Sequence, residues 1–427
     1  MSDNMAITSD DRIEALDITR GIAVLGILSM NVVGLGLPYA YEDPTNAGGA
    51  QGADLAVWRI NALLFEGTMR GLFTILFGAS ALLFLDRAAR RTATRPTLLY
   101  YRRMIWLMVF GLINSYVLLW DGDILFYYGA VGLLLFFFRN LSANKLLIAA
   151  VLVGLLQLSV TSFEYLSFGQ LSAEAQAARS IDMQGFVLNE WQREALRAYE
   201  DERQDFKPTQ PQLDAAVDAI RSSYQEAFEY MRGRTFYVQT TYFLRHGIGD
   251  VLSMMLLGMA LLKLGILTGE ASPHLYRSFM LIGYAVGLPI NLYEIVHLEA
   301  SGFSVEAMMA SYLTYDMGRI AMTIGHLGSI LLFCRSNAFT QAKSVLAAVG
   351  RMALTNYLSQ SLICLFIFTG AGLALYGQLQ RHELYYIVLG IWLLQLTWSP
   401  LWLRHFKQGP TEWVWRRLTY GAEKVMK

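Results

Sequence analysis

The stretch LDITRGIAVLGILSMN, Leu16 to Asn31, opens on an acid and a base and then runs apolar as far as Leu37. Asp17 and Arg20 stand at the mouth of the helix it forms, and Asn31 sits inside it. Arg20 and Asn31 are eleven residues apart, which a helix converts into about 16 Å, roughly half of a hydrocarbon core. One polar group then lies at a membrane face and the other well inside. A guanidinium or an amide facing lipid is costly, so such residues turn toward the interior of a bundle or a wet cavity. The helix therefore reads as one wall of an internal polar site.

The rest of the chain agrees. Of its 427 residues 55% are hydrophobic and 16% charged, against about 25% charged in soluble domains, and the mean hydropathy is +0.37. These values describe an all-α, polytopic integral membrane protein. The formal net charge is zero, and no basic block is long enough to suggest nucleic acid; the expected partners are membrane lipids and a small-molecule, glycan or lipid acceptor, with a homo-oligomer also open. Cys334 and Cys364 each lie in an apolar segment, so neither a disulfide framework nor a cysteine metal site is indicated. The first residues, MSDNMAITSDDRIEALD, lack the basic segment and small-residue cleavage site of a signal peptide, so the first apolar helix is expected to be kept.

Apolar runs long enough to span number about ten, near 17–37, 68–86, 102–120, 122–138, 145–165, 240–267, 275–296, 311–333, 350–374 and 384–403. Arg87, Arg90, Arg91, Arg95, Arg102 and Arg103 mark the loop after the second run as cytoplasmic. Alternation from there puts Arg139, Lys145, Lys263, Arg277, Arg335, Lys343 and the basic tail on the same side. Asp121, Asp123, Glu299, Glu306 and Tyr41 to Pro44 fall outside. The expectation is a bacterial inner-membrane, multi-pass protein with both termini cytoplasmic. One segment is not membrane: residues 167–234 hold 12 acidic and 8 basic side chains and read as an amphipathic helical hairpin on the outer face, interrupted by Pro208 and Pro211. The organisation is then a first half of five helices (1–166), a periplasmic helical insertion (167–234), a second half of five (235–404) and a cytoplasmic interfacial tail (405–427). No residue-level repeat relates the halves.

Several polar groups each admit a chemical and a structural reading. Asp121 and Asp123 in LLWDGDILFYYG are close enough to supply a general base at the outer surface, while a cap on the fourth span and a tight turn at Gly122 explain them equally. Glu66 and Arg70, four apart in FEGTMRGLFTILFGAS, read as a structural ion pair on one helix face. Asp316, Arg319, Thr323 and His326 recur at helical spacing on one stripe, with His326 near mid-membrane; this is either a proton-handling set or satisfied packing. Arg245, His246 and Asp250 form a similar group nearer the outer face. Asn356 and Gln360 in GRMALTNYLSQS suit hydrogen-bonded helix packing, with substrate lining the alternative. Trp413, Trp415 and Tyr420 beside Arg416 and Arg417 read as an interfacial anchor; the same arginines could also meet phosphates. No P-loop, GxGxxG, HExxH or GxSxG is present, and no His or Cys spacing suggests a metal.

Five segments in order, LDITRGIAVLGIL with Asn31, EGTMRGLFTILFG, WDGDIL, VGRMALTNYLSQSLIC and GPTEWVWRRLTYG, resemble the YeiB-like bacterial inner-membrane family, known as domain of unknown function 418. The first helix also resembles that of the transmembrane acyltransferases, which include acyltransferase family 3 and the heparan-glucosaminide N-acetyltransferases. Family 3 carries Arg, ten residues, then His; here Arg20 and ten residues lead to Asn31, as in the heparan-glucosaminide branch, and no histidine precedes His246. Relatives often show a histidine ahead of WxGDIL, where Asn114 and Ser115 stand here. The resemblance implies an inner-membrane acyltransferase that moves an acyl group from acyl-CoA, the possible donor with no permanently bound cofactor, to a periplasm-facing hydroxyl or amine. Arg20, oriented by Asp17, would hold donor phosphate or thioester oxygen, and Asn31 would donate to the carbonyl oxygen. Asp121, Asp123 or His326 would be the general base, with Arg70, Asp316, Arg319, Asn356 and Gln360 lining the substrate site. A transporter or flippase using Asp316, Arg319 and His326, and a non-catalytic membrane partner protein using 167–234, are the alternatives.

Overall fold

The computed structural model of the chain describes residues 13–90, with backbone only for 88–90, and residues 96–421. Arg91 and Arg95, the side chain of Arg90 and the first twelve residues lie outside the described residues. Among the described residues the chain is helical, with no strand. Helix α1 is Glu14–Gly36, α2 Gly52–Leu64, α3 Thr68–Arg90, α4 Pro96–Leu112 and α5 Leu125–Phe138. Next come α6 Ala143–Met183, α7 Glu190–Phe206, α8 Gln210–Ser222, α9 Tyr224–Tyr237 and α10 Ile248–Lys263. The chain closes with α11 Pro273–Ala300, α12 Val305–Arg335, α13 Thr340–Arg351, α14 Ala353–Phe368, α15 Arg381–His405 and α16 Pro410–Tyr420. Two π-helical stretches, Ile113–Val117 and Val238–Gly247, extend α4 and join α9 to α10.

Seven helical segments among the described residues are long and apolar enough to cross a membrane: Glu14–Gly36, Gly52–Arg87, Ala143–Met183, Tyr224–Lys263, Pro273–Ala300, Val305–Arg335 and Arg381–His405. Two shorter apolar helices, α5 and α14, accompany them. Each apolar run read from the sequence coincides with a helix, although the boundaries shift. The run expected over 350–374 begins at Ala353, after a break at Met352, and ends at Phe368. The second run is preceded by a helix that periodicity did not reveal, α2, which packs Trp58 against Ile295, Phe303 and Met308.

The segment 167–234 is helical and breaks where its prolines stand, since α7 stops at Phe206 and α8 starts with Pro211 in its first turn. It is not a separate hairpin. At 41 residues α6 is about 60 Å long, twice the thickness of a hydrocarbon core, and its second half pairs with α7. At the other side α9 passes through the π-helical stretch into α10. Both boundaries, 166/167 and 234/235, therefore fall inside continuous helices.

The loops sort into two ends. At a basic end Lys263 donates to the carbonyls of Arg139 and Leu141 at 2.7 Å each, and Arg335 donates to that of Ala271 at 2.9 Å. Lys343 caps the carbonyl of Ser336 nearby. At an acidic end the loop after α1 is clamped from outside: Lys207 pairs with Asp43, Asn46 donates to the Phe206 carbonyl at 2.8 Å, and the buried Arg381 donates to the Ala40 carbonyl at 2.6 Å. Glu306 accepts from Tyr199 of α7 at 2.7 Å.

Between the ends, α3 and α10 run side by side in the same direction and touch backbone to backbone. A Cβ on Gly78 would lie 2.1 Å from the Met255 carbonyl oxygen, and one on Gly258 would lie 2.0 Å from that of Ile75. Small residues allow this approach, and without a hydrophobic force between helices in lipid such close packing carries much of the association. Gly78→Ala is therefore expected to force the pair apart and lower the unfolding temperature in detergent, at a cost of about 1–3 kcal/mol. Gly390→Ala, at a position where a Cβ meets nothing within 4 Å, should leave it unchanged or slightly raised. Equal melting of the two variants would show that the crossing is not tight.

Candidate functional site: an ionic cleft and two stations on the first helix

The helix of the second span starts at Thr68, where its apolar run suggested, but Glu66 is not on it. Gly67 takes a left-handed φ of +65°, and α3 begins only at Thr68, so Glu66 lies at the break between α2 and α3. The i,i+4 geometry that would pair Glu66 with Arg70 does not exist there. Glu66 instead accepts hydrogen bonds from the phenols of Tyr41 at 3.0 Å and Tyr315 at 3.1 Å. Arg70 reaches across to Asp250 at the start of α10. The second carboxylate oxygen of Asp250 binds Arg319 of α12, and Arg319 also meets Asp316 at 2.8 Å. The sequence placed Asp250 in an interfacial group with Arg245 and His246; the structure makes it the centre of an ionic relay through three helices. His246 stands apart, 3.2 Å from Glu164 of α6.

Exposure grades through this cluster: the Arg319 side chain is 3% exposed and Asp250 13%, while Arg70 and Asp316 reach 29% and 30%. The grading describes a cleft with a buried floor and an open mouth. Tyr312 donates to Glu42 at 2.6 Å near that mouth. Tyr242, on the π-helical stretch, lies within electrostatic reach of Glu42, Arg70, Asp250 and Arg319 while 46% exposed. A π-helical segment is rare and recurs at functional sites. Burial and the neighbouring Glu66 push the Tyr41 phenol well above its usual range, so it remains a hydrogen-bond donor.

The stripe on α12 has a structural task that the break explains. Interrupting a helix orphans carbonyls, and the facing helices satisfy them. His326 Nε2 lies 2.8 Å from the Leu64 carbonyl oxygen and Nδ1 lies 3.0 Å from the Tyr284 hydroxyl. Thr323 donates within its own helix to the Arg319 carbonyl at 2.8 Å and lies 3.4 Å from the carbonyl oxygen of Thr68, the first residue after the break, and Asn291 donates to the Leu63 carbonyl at 3.1 Å. His326 is thus about two turns beyond the ionic cluster and engaged at both ring nitrogens, whereas Asp316 and Arg319 belong to the cleft.

The remaining residues singled out by sequence lie elsewhere. Asp121 pairs with Arg234 of α9 at 2.5 Å. Asp123 accepts from the Phe126 amide and from Asn114, both at 2.8 Å, the bonding of a helix cap. Asn356 and Gln360 join a buried ladder between α14, α15 and α1: Asn356 bonds Ser399 and Trp398 at 3.1 and 2.9 Å, and Gln360 bonds Gln395 and the Val24 carbonyl at 3.0 and 3.1 Å. At the basic end Arg20 is held by Asp17 at 2.8 Å and by Ser80 of α3 at 3.0 Å. Eleven residues on α1 sum to a rotation of only about 20° beyond three turns, so Asn31 lies on the same stripe as Arg20. It is half-buried, and its amide makes no side-chain hydrogen bond among the described residues. Among the described residues no cluster of metal-ligating side chains occurs. Sequence reasoning missed Glu66 and Tyr41 as cleft residues, because the signal was the Gly67 break and not a helical period.

A family model described as "Protein of unknown function (DUF418)" matches residues 261–422. Over 417 residues, 96% of this chain and 97% of the relative, the sequence is 30% identical to "Uncharacterized protein YeiB" of Escherichia coli (strain K12). It is also 30% identical to "Uncharacterized protein YxaH" of Bacillus subtilis (strain 168), covering 98% of this chain and 97% of that one. No solved structure matches.

Removing the shared carboxylate tests the cluster. Asp250→Asn leaves Arg70 without its ion-pair partner beside a buried Arg319, and the expected loss is about 3 kcal/mol in unfolding by sodium dodecyl sulfate titration. Adding Arg70→Met should restore part of it, since the unpaired charge is then gone. A single variant as stable as the wild type would show that the relay carries no energy.

Proposed function

The chain belongs to the DUF418, YeiB-like family, and from that premise and the geometry above we propose that it is a bacterial inner-membrane acyltransferase. An acyl group passes from acyl-CoA, entering at the basic cytoplasmic end, to a hydroxyl or amine acceptor that enters the ionic cleft from the periplasm. The observation that carries this reading is the shared stripe of α1, with a tethered guanidinium at one end and a half-buried amide, free among the described residues, three turns away.

In this reading Arg20, oriented by Asp17 and Ser80, binds donor phosphate or thioester oxygen. Asn31 donates to the carbonyl oxygen as negative charge develops on it. The acceptor forms its bond to the acyl carbon, the carbon–sulfur bond breaks, and the acceptor's proton ends on the departing thiolate, giving free CoA. Glu66 is the carboxylate placed to relay that proton, because its partners are the phenols of Tyr41 and Tyr315, which can themselves pass a proton, whereas Asp121 is tied to Arg234, Asp123 to Asn114 and the Phe126 amide, and His326 to Leu64 and Tyr284. Ten crossings, with both termini in the cytoplasm and α7 and α8 in the periplasm, accompany this reading. Its support is the separation of basic from acidic loops. Membrane lipids surround the bundle, and the acceptor is a small molecule, a glycan or a lipid.

A second reading, a transporter or flippase, is favoured by one observation: Arg70, Asp250, Arg319 and Asp316 exchange ion pairs inside the bundle, an arrangement suited to coupling charge movement to transport. Native mass spectrometry of detergent-purified protein with CoA, acetyl-CoA and longer acyl-CoAs separates the two. Acyl-CoA binding weakened roughly tenfold or more in Arg20→Ala is the expected result. Absence of binding at every chain length overturns the enzyme, and substrate flux lost in Asp316→Asn would then identify a carrier.

A further inference from the structure

The basic end holds a second arginine that the ion pairs of the fold do not use. Arg103, at the middle of α4, lies with its Cζ 3.5 Å from the ring centroid of Trp415 and 5.2 Å from that of Phe84. Trp415 is buried, and its indole N–H donates to the Arg103 carbonyl at 3.0 Å, so α16 fixes the ring against the guanidinium. Stacking engages the face of a guanidinium and leaves its edge N–H donors unused. Among the described residues the Arg103 guanidinium makes no hydrogen bond and no ion pair.

Other cations stand beside it. Phe84 and Ser80 are four residues apart on α3, hence neighbours on one face; Arg103 covers Phe84, and Arg20 donates to Ser80 at 3.0 Å. Arg416 follows Trp415 and donates to Gln408 at 2.8 Å. Both Arg20 and Arg416 are within electrostatic reach of Arg103. Like charges drawn together in a half-buried place repel. An anion between them removes the repulsion, and planar guanidinium edges match phosphate oxygens in pairs.

We propose that Arg103 and Arg416, with Arg20, form an anion site at the basic end that takes a phosphate-bearing ligand. It deepens the donor side of the acyltransferase reading by assigning the donor's phosphates to residues of α4 and α16, and the same chemistry would also accept the headgroup of an anionic lipid. The interfacial tail then closes one side of a binding site through Trp415.

The test uses the full chain, purified in detergent and in nanodiscs. The probes are pyrophosphate, adenosine 3′,5′-bisphosphate, CoA and phosphatidylglycerol, with phosphatidylcholine as the zwitterionic reference. Arg103→Gln and Arg416→Gln are each expected to weaken phosphate-probe affinity about tenfold or more. Arg103→Lys, which keeps the charge and loses the planar stack, should weaken it less. Arg277→Gln, removing an exposed charge at the start of α11, should bind as the wild type does. Melting without ligand shows whether each variant is folded, and Arg103→Lys with Arg416→Gln carry the test should Arg103→Gln not fold. Binding unchanged in the Arg103 and Arg416 variants overturns the site, even where CoA binding is lost in Arg20→Ala and the donor reading survives. Failure of every phosphate probe to bind also overturns it. Binding of pyrophosphate or phosphatidylglycerol that depends on Arg103, with CoA excluded, sustains the anion site and removes the acyltransferase.

Discussion

The structure depends on one carboxylate. Asp250 sits between Arg70 and Arg319 and binds each with a different oxygen, so α3, α10 and α12 meet through charges inside a largely apolar bundle. Isolated charges there would be too costly to keep, whereas a paired and hydrogen-bonded set is tolerated and fixes which helices are neighbours. The two glycine contacts between α3 and α10 act with it. They bring the backbones close enough for Arg70 to reach Asp250, and the ion pairs oppose any slip along that interface.

The break at Gly67 turns this packing into a site. An uninterrupted helix from Gly52 to Arg90 would satisfy its own carbonyls and would hold Glu66 within the helical barrel. With the chain kinked, the carbonyls of Leu63 and Leu64 are met by Asn291 and His326, while Glu66 is released toward the phenols of Tyr41 and Tyr315. A Cβ at Gly67 would lie 2.3 Å from the Arg319 side chain, so glycine there answers both the left-handed φ and the approach of α12. The polar stripe on α12 thereby divides between two tasks. Asp316 and Arg319 face the cleft, and Thr323 and His326 face the break.

The acidic and basic ends differ in how they are closed. At the acidic end the loop after α1 is tied to α7, α12 and α15 through Asp43, Glu42 and Arg381, so the mouth of the cleft has a frame built from distant parts of the chain. At the basic end aromatic faces hold Arg103, and the tail helix supplies the ring. The carboxylate of Glu412 on the same tail accepts from the amides of Leu354 and Thr355 at 2.8 and 3.1 Å, capping α14. The tail, which composition reads as a simple interfacial anchor, is thus part of the bundle.

Hydrophobic run length and charge asymmetry are local properties, and the sequence by itself determined the membrane class, the positions of the apolar helices, the sorting of the loops and the family through LDITRGIAVLGIL, WDGDIL and GPTEWVWRRLTYG. It also determined that Asp17 and Arg20 would pair, since they lie one turn apart. Only the tertiary structure decided that Asp250 joins Arg70 and Arg319, because those residues are separated by 180 and 69 positions and carry no mark of their pairing. The same holds for Glu66, whose helical period toward Arg70 is overridden by one glycine, and for Arg103, whose neighbours Phe84 and Trp415 come from α3 and α16. Period and composition report which face of a helix is apolar; which charges then share that interior is set by the order in which helices pack, and one strand of sequence does not encode that locally.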